Sequence, residues 1–369
     1  MSNPTFEVSA DVIVPRAVRA SVPREDPAAE GLSIQAYGPE IPATLLAAAE
    51  RSADNPYSCL AVYRAFEPQS ATVLRHLVIT SADRVLGILS YHERGSSLFI
   101  VNRLLGFNDS ILDRCVSLLF ATHQAARRIV IEGVYEGEAR LRYRTARRSW
   151  CAMENLLLDL PTSFEQYMGH FGPKTRKNLR YCAKRFQREN PGAEFAILTR
   201  DVIDEATVNS LVGLNHLRME SKGRTSGVDA KFAAALLTLG RSHGIACVAR
   251  DKDGKILGGT LCTRVGNGLS LQVIAHDPAF NHVRLGLLCL LKSIETGIAS
   301  GATVFHFLWG DSQYKALFGA HAAPLLSYRY YRSWIHYVFA FRDWRDQIAQ
   351  TSKRYARRVR AAHRRAPGY

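Results

Sequence analysis

No stretch of this sequence strings together the roughly 18–20 apolar residues that a membrane-spanning helix needs. Met1 to Pro27 is polar and spotted with proline, and it lacks the apolar core of a signal peptide. Residues 1–30 therefore read as a disordered N-terminal arm, and the chain is expected to be cytoplasmic with no membrane span. Cysteine is sparse and unpaired in pattern: Cys59, Cys115, Cys151, Cys182, Cys247, Cys262 and Cys289 are scattered, and no CxxC occurs. That excludes a disulfide framework and a zinc site built on cysteines, and no metal is expected. Acid is also in deficit, with 33 Asp and Glu against 48 Lys and Arg, for a formal net charge of +15. Such an excess implies an anionic partner: a nucleotide cofactor, tRNA, a nucleotide-sugar, an acidic polymer or a membrane surface. No helix-turn-helix, zinc-finger or RRM signature is present, which argues against base-specific recognition of nucleic acid. Part of the excess lies near the C-terminus, where Lys353, Arg354, Arg357, Arg358, Arg360, Arg364 and Arg365 face no acid. These read as the solvated end of a helix.

What is present is enough apolar residue, 47% of 369, for one large domain or two moderate ones. Leu32 to Tyr37 alternates like a strand and Ile41 to Ser52 reads as a helix, broken by Asn55-Pro56. Strands are predicted over Val73 to Thr80, Val85 to Tyr91 and Ser97 to Val101. A helix capped by Asp109 or Ser110 and running to His123 precedes the strand Arg128 to Val134. The order then repeats. A strand over Phe195 to Thr199 is followed by helices over Val202 to Met219 and Asp229 to Ser242. A meander covers Ile245 to Arg250, Ile256 to Val265 and Leu269 to His276. Next come a helix from Arg284 to Ser300 and strands over Thr303 to Trp309 and Leu325 to Arg332. The fold class is α/β (α+β), two related lobes in tandem with mixed, mainly antiparallel sheets flanked by helices. The expected boundaries are a first lobe over residues 31–160, a linker over 161–192, a second lobe over 193–335, and a terminal helix with a basic tail over 336–369.

In the linker, Pro173 to Asn190 reads as one two-faced helix. Leu179, Cys182, Ala183 and Phe186 make the apolar stripe, and Lys177, Arg180, Lys184 and Arg188 a basic ridge suited to an anion.

The segment Gly268 to Phe318 holds the densest chemistry. A strand ending at His276 passes through Asp277-Pro278-Ala279-Phe280-Asn281 into a helix opening at His282-Val283-Arg284-Leu285-Gly286. A helix N-terminus presents unpaired N–H groups and the positive end of its dipole, so it suits phosphate. Gly286 would permit close backbone approach, and Arg284 or His282 could meet phosphate oxygens. Thr303 to Gly310 is an apolar strand ending in glycine, beyond which Asp311, Tyr314 and Lys315 would converge where α/β folds bind ligands.

Gly310-Asp311-Ser312-Gln313-Tyr314-Lys315-Ala316-Leu317-Phe318-Gly319, placed after a helix and a strand, resembles the CelD-type acetyltransferase family of the GNAT superfamily, which is related to the FemAB-type aminoacyl-tRNA-dependent transferases. Phe164-Glu165-Gln166-Tyr167 leading to Arg176-Lys177-Asn178-Leu179-Arg180 is similar to that family's linker. Two positions depart from its pattern: His306 stands where an acidic residue is usual, and Arg284-Leu285-Gly286 is a fragment of the Q/R-x-x-G-x-G/A loop. The resemblance implies tandem GNAT-like lobes and transfer of an acyl group, such as acetyl, from acyl-CoA to an amine or hydroxyl, in polysaccharide or envelope biosynthesis. Candidate bases are His306, then His276, then Asp311; Tyr314 would protonate the leaving thiolate and Lys315 hold a phosphate or the acceptor. Ile274, Ala275, His282, Arg284, Leu285 and Gly286 are the donor-binding candidates; Lys177, Arg180 and Trp309 are those for the acceptor. A FemAB-like transferase using aminoacyl-tRNA, favoured by the basic helix, and a non-catalytic binder of anionic polymers stand as alternatives.

Overall fold

The computed structural model describes residues 31–67, 72–82, 84–136, 146–309 and 313–363. The arm at 1–30, Asp311, and Arg364 and Arg365 lie outside the described residues. The first half runs β1 (Leu32–Tyr37), α1 (Ala43–Ser52), α2 (Ala61–Phe66), β2 (Arg75–Ser81), β3 (Arg84–Arg94), β4 (Ser97–Ile100), α3 (Asp109–Thr122), β5 (Arg128–Tyr135) and β6 (Ala146–Asp159). Two helices follow, α4 (Phe164–Gly169) and α5 (Pro173–Glu189). The second half runs β7 (Glu194–Thr199), α6 (Glu205–Glu220), α7 (Ala230–His243), β8 (Gly244–Arg250), β9 (Ile256–Val265), β10 (Gly268–His276), α8 (Leu285–Ala299), β11 (Val304–Leu308), α9 (Gln313–Leu317) and β12 (His321–Tyr331). It ends in α10 (Trp334–Val338) and α11 (Phe341–His363).

All twelve strands join one sheet in the order β1-β2-β3-β4-β5-β12-β6-β11-β10-β9-β8-β7. In each half an antiparallel meander ends in one parallel pair, β4 with β5 and β10 with β11. The centre is a reciprocal exchange. β6 leaves the first half to pair with β11, and β12 leaves the second to pair with β5. The two exchanged strands lie antiparallel to each other over Ala146–Tyr331 to Leu157–His321. β11 is buried along its whole length, which explains its unbroken apolar run Val-Phe-His-Phe-Leu. The helix α8 buries nine residues, among them Leu285, Cys289 and Ile294, and forms the floor of the second half's core.

Caps place the helices. Asp204, Asp229 and Ser163 accept from the N–H groups of Thr207, Phe232 and Gln166. The cap of α3 is Asn108, whose side chain accepts from Ile111 N at 2.9 Å, rather than Asp109 or Ser110. Asp109 is instead buried beside Arg147 at 3.5 Å and accepts from the Tyr328 hydroxyl at 3.2 Å. In α5 the predicted stripe is inward, with Leu179, Cys182 and Phe186 buried and Ala183 partly so.

The terminal helix reverses the usual arrangement. Asp343, Gln347 and Gln350 turn toward the sheet, bonded by Arg128 and Tyr331, by Arg148, and by Trp150. On the other side, Phe341 and Ile348 face outward, and Trp344 between them covers Arg148 with about half of its surface still exposed.

Candidate functional site

β10 and β11 pair only over Gly268–Val304, Leu269–Phe305 and Ser270–His306. Past that point β10 bulges between Leu271 and Val273, so that Gln272 is the extra residue, and it runs on to His276 along β9. β11 meanwhile keeps to β6. The strands therefore diverge, and the edge of β10 beyond Gln272 is released from its parallel neighbour. The Ile274 carbonyl on that edge accepts from Asn215 Nδ2 at 3.4 Å. Ala275 is buried and paired with Gly259 on β9.

A cavity of about 1090 Å³ opens beside this divergence and reaches across both halves. At one end it is lined by Gln272, Ile274, Trp309, Tyr314, Lys315 and Arg218; at the other by first-half groups including Glu132 and Arg103. Tyr57, from the first half, joins the two. Its hydroxyl donates to Gln272 Oε1 at 3.2 Å, and its ring meets Trp309 edge-on at 5.1 Å. Trp309 keeps 41% of its surface exposed, so it forms part of the cavity rim.

Tyr314 sits at the start of α9 with its ring edge-on to Phe307. Burial pushes its pKa up and nearby Arg218 only partly offsets this, so the phenol stays protonated at neutral pH. Lys315 is 5% exposed, and its ammonium donates to the carbonyls of Phe307 and Trp309, both at 3.0 Å. It holds down the end of β11 while lining the cavity.

His276 closes the far end of β10. Its Nε2 lies 2.8 Å from Asn281 Oδ1, and its ring is wedged against Gly286, where a Cβ would fall 2.7 Å from Nδ1. Gly286 is thus required by the imidazole beneath the helix start. Burial first, with Arg218 and Lys222 adding to it against the Asn281 bond, holds the His276 pKa below its ordinary value. Leu285 is buried in the core. Arg284 is exposed and adopts φ +53°, and its carbonyl accepts from Leu287 and Leu288 N–H to begin α8. No side chain caps α8 and no acid stands in its first turn. His282 turns away to Glu189 on α5, 2.7 Å from Oε2, and Glu189 also accepts from Arg185.

His306 is fully buried and lies outside the cavity lining. Asn155 Nδ2 donates to its Nδ1 at 3.1 Å and to the Tyr135 hydroxyl at 2.6 Å, and its Nε2 lies 3.9 Å from Asp54 Oδ2. Burial lowers its pKa, with Asp54 opposing. This is a polar cross-tie between the exchanged strand β6, β11 and the first half. Lys177 and Arg180 are exposed on α5 and also lie apart from the cavity lining.

Several groups at the site were not picked out from the sequence. Arg218 at the end of α6, with Lys222 and Arg224 just beyond, forms a cationic cluster near His276 and Tyr314. None of the three has an ion-pair partner among the described residues. Their spacing is that of ordinary cations at a helix C-terminus, where the dipole already favours them. Gln272 and Asn215 carry no sequence signal, because a bulge and a facing helix are needed to bring them together. Among the described residues no group of His, Cys, Asp and Glu has the arrangement of a metal site, and no helix is long and apolar enough to cross a membrane.

Residues 173–316 match the family model for the acetyltransferase (GNAT) domain, less than half of the chain. No curated relative matches. Among solved structures the chain is similar to FemX, at 10% identity and TM-score 0.56, over 79% of this chain and 96% of FemX. It is also similar to a conserved protein of unknown function from Bacteroides thetaiotaomicron, at 12% identity and TM-score 0.52, over 78% and 96%. A tandem GNAT protein from the clavulanic acid biosynthesis pathway matches at 15% identity and TM-score 0.39, over 80% and 98%. The fold class is mixed α/β with a large, mostly antiparallel sheet, and residues 173–316 are similar to a GNAT acetyltransferase domain.

Proposed function

We propose that this chain is an acyl-CoA-dependent N- or O-acyltransferase whose donor lies along the free edge of β10. The observation that carries the reading is the divergence of β10 and β11 at the Gln272 bulge, framed by the unpaired cations Arg218, Lys222 and Arg224. A free strand edge offers N–H and C=O groups to an extended amide-bearing chain, and a cation cluster suits phosphates. Bound there, the thioester supplies an activated acyl carbonyl. Main-chain N–H groups next to Gln272 would hold the developing oxyanion. Tyr314, protonated and within the cavity, would give its proton to the departing sulfur and take one back from the acceptor nitrogen or oxygen as the new amide or ester forms. Trp309 and Tyr57 would orient the acceptor, an amine or hydroxyl, in the cavity shared by both halves. His306 and His276 are positioned to build the site rather than to touch substrate. The CelD-like motif around Tyr314 and Lys315 supports this reading and an acceptor from polysaccharide or envelope synthesis.

Calorimetry with acetyl-CoA and longer acyl-CoAs, at low and physiological salt, tests the donor. Micromolar binding is the expected result, and absence of binding by every acyl-CoA would sink it. A second reading, an aminoacyl-tRNA-dependent transferase, is favoured by the exposed ridge Lys177, Arg180, Lys184 and Arg188 on α5. Labelled aminoacyl-tRNA, bound with a steep salt dependence, would distinguish it. Failure of both donors would leave a non-catalytic anion binder.

A further inference from the structure

The strongest unexplained feature lies away from the cavity's donor end. Trp334, Ile335, Val338, Phe339, Phe341, Trp344 and Ile348 are between 45% and 70% exposed, all within α10, α11 and the turn joining them. Single exposed apolar side chains are ordinary, but a group of this size gathered in two consecutive helices marks an interaction site. The group is not a loose end of the core. α11 is held in place by polar contacts on its inward side, Asp343 to Arg128 and Tyr331, and Gln350 to Trp150. Phe341, Trp344 and Ile348, at i, i+3 and i+7, are thereby turned out. Trp344 is further fixed by the Arg148 guanidinium 3.8 Å above its ring.

The charge carried by the sequence of this helix decides the partner. α11 runs from Phe341 to His363, and its sequence carries Arg342, Arg345, Lys353, Arg354, Arg357, Arg358 and Arg360 against Asp343 and Asp346. Of those two acids, Asp343 is already neutralised by Arg128. A helix rich in Arg and Lys, with Trp, Phe and Ile on one side and low overall hydropathy, has the composition of one that lies in the headgroup layer of a membrane. Trp334 and Trp344 are the residue type favoured at that depth. A nucleic acid would satisfy the cations but leave Ile335, Val338 and Ile348 in water. A second copy of this chain would bring +15 against +15.

We propose that α10 and α11 form a docking surface for an anionic lipid bilayer. Because Arg342, Asp343 and Asp346 on α11 also line the cavity, docking would set the cavity beside the lipid surface.

The test is co-sedimentation of the full chain with vesicles of phosphatidylglycerol and phosphatidylcholine, against phosphatidylcholine alone. The triple variant Ile335→Ser, Phe339→Ser, Phe341→Ser serves as control, all three side chains being at the surface. Binding to the anionic vesicles is expected, weakened by salt, with tryptophan emission shifted to the blue. The triple variant should lose at least about tenfold in partitioning while keeping the parent's melting temperature and acyl-CoA binding. The proposal is overturned if the parent stays in the supernatant with anionic vesicles at low salt, or if the triple variant binds as well as the parent. It is also overturned by a dimer that the triple variant dissociates without any vesicle binding, or by retention on RNA but not on vesicles.

Discussion

The two halves share a topology but treat the same junction differently. In each, a parallel pair three residues long precedes a divergence: Ser97–Arg128 to Phe99–Val130 in the first half, Gly268–Val304 to Ser270–His306 in the second. In the first half the chain returns to close the gap, with Leu105 N–H donating to Gly133 and Tyr135 N–H to Leu105, both at 3.0 Å. In the second half β10 continues to His276 along its open edge. The helix that follows differs in the same sense. α3 begins with the Asn108 cap and an acid, Asp109. α8 begins with neither, and His276, packed beneath its first turn, feels the charges of Arg218 and Lys222. A few residues thus separate a junction that the chain closes on itself from one that it leaves open.

The largest effect should come from removing the proposed proton donor on the open side. Tyr314→Phe is expected to lower kcat by about 10² to 10³ with KM and melting temperature near the parent's, read by steady-state kinetics and thermal melts. An unchanged kcat would leave the second half's junction without its chemistry. Next, if Arg218 and Lys222 face the donor phosphates as proposed, Arg218→Ala with Lys222→Ala should weaken acyl-CoA binding by roughly 30- to 100-fold in calorimetry. The first-half counterpart, Asn108→Ala, should leave that affinity alone and cost about 1 kcal/mol of stability by denaturant titration. If instead Asn108→Ala altered donor affinity, the contrast between the halves would fail.

Proton linkage gives a smaller and graded contrast. His76 in the first half, and His276 and His306 in the second, have pKa values lowered chiefly by burial. As the pH falls below about 6.5, the unfolded chain takes up protons that the folded histidines refuse. Their neutral forms therefore cost nothing above that value, and stability declines as pH drops toward the lowered folded pKa. Melting temperature should fall between about pH 7.5 and 5.5. His306→Asn should flatten the curve even where its overall stability is lower, and an unchanged slope would remove His306 from the linkage.

Local structure was legible because periodicity reports burial directly. β1, β7 to β10, α5 and α8 lie within a residue or two of where alternation and helical spacing put them. β6 escaped notice because Arg147, Arg148, Glu154 and Asn155 interrupt its apolar pattern; the first two pack beneath aromatic rings, and Asn155 bonds His306. Nothing local announces that β6 and β12 trade places, since pairings such as Leu157 with His321 span most of the second half. At the site, Tyr314 and Lys315 were visible as a motif. His306 resembled a catalytic histidine by position, and only burial and its bond to Asn155 reveal the cross-tie.

The exchange of β6 and β12 also has a consequence for synthesis. β5 has its antiparallel neighbour only once the chain has been made as far as Tyr331, so the first half must emerge from the ribosome with a bare strand edge. That edge, carrying Ile129, Ile131 and Val134, is a template for pairing with another nascent chain until the final strand arrives. The two halves cannot mature one after the other, and a ribosome stalled between Asp159 and His321 would display an unfinished sheet rather than a finished lobe.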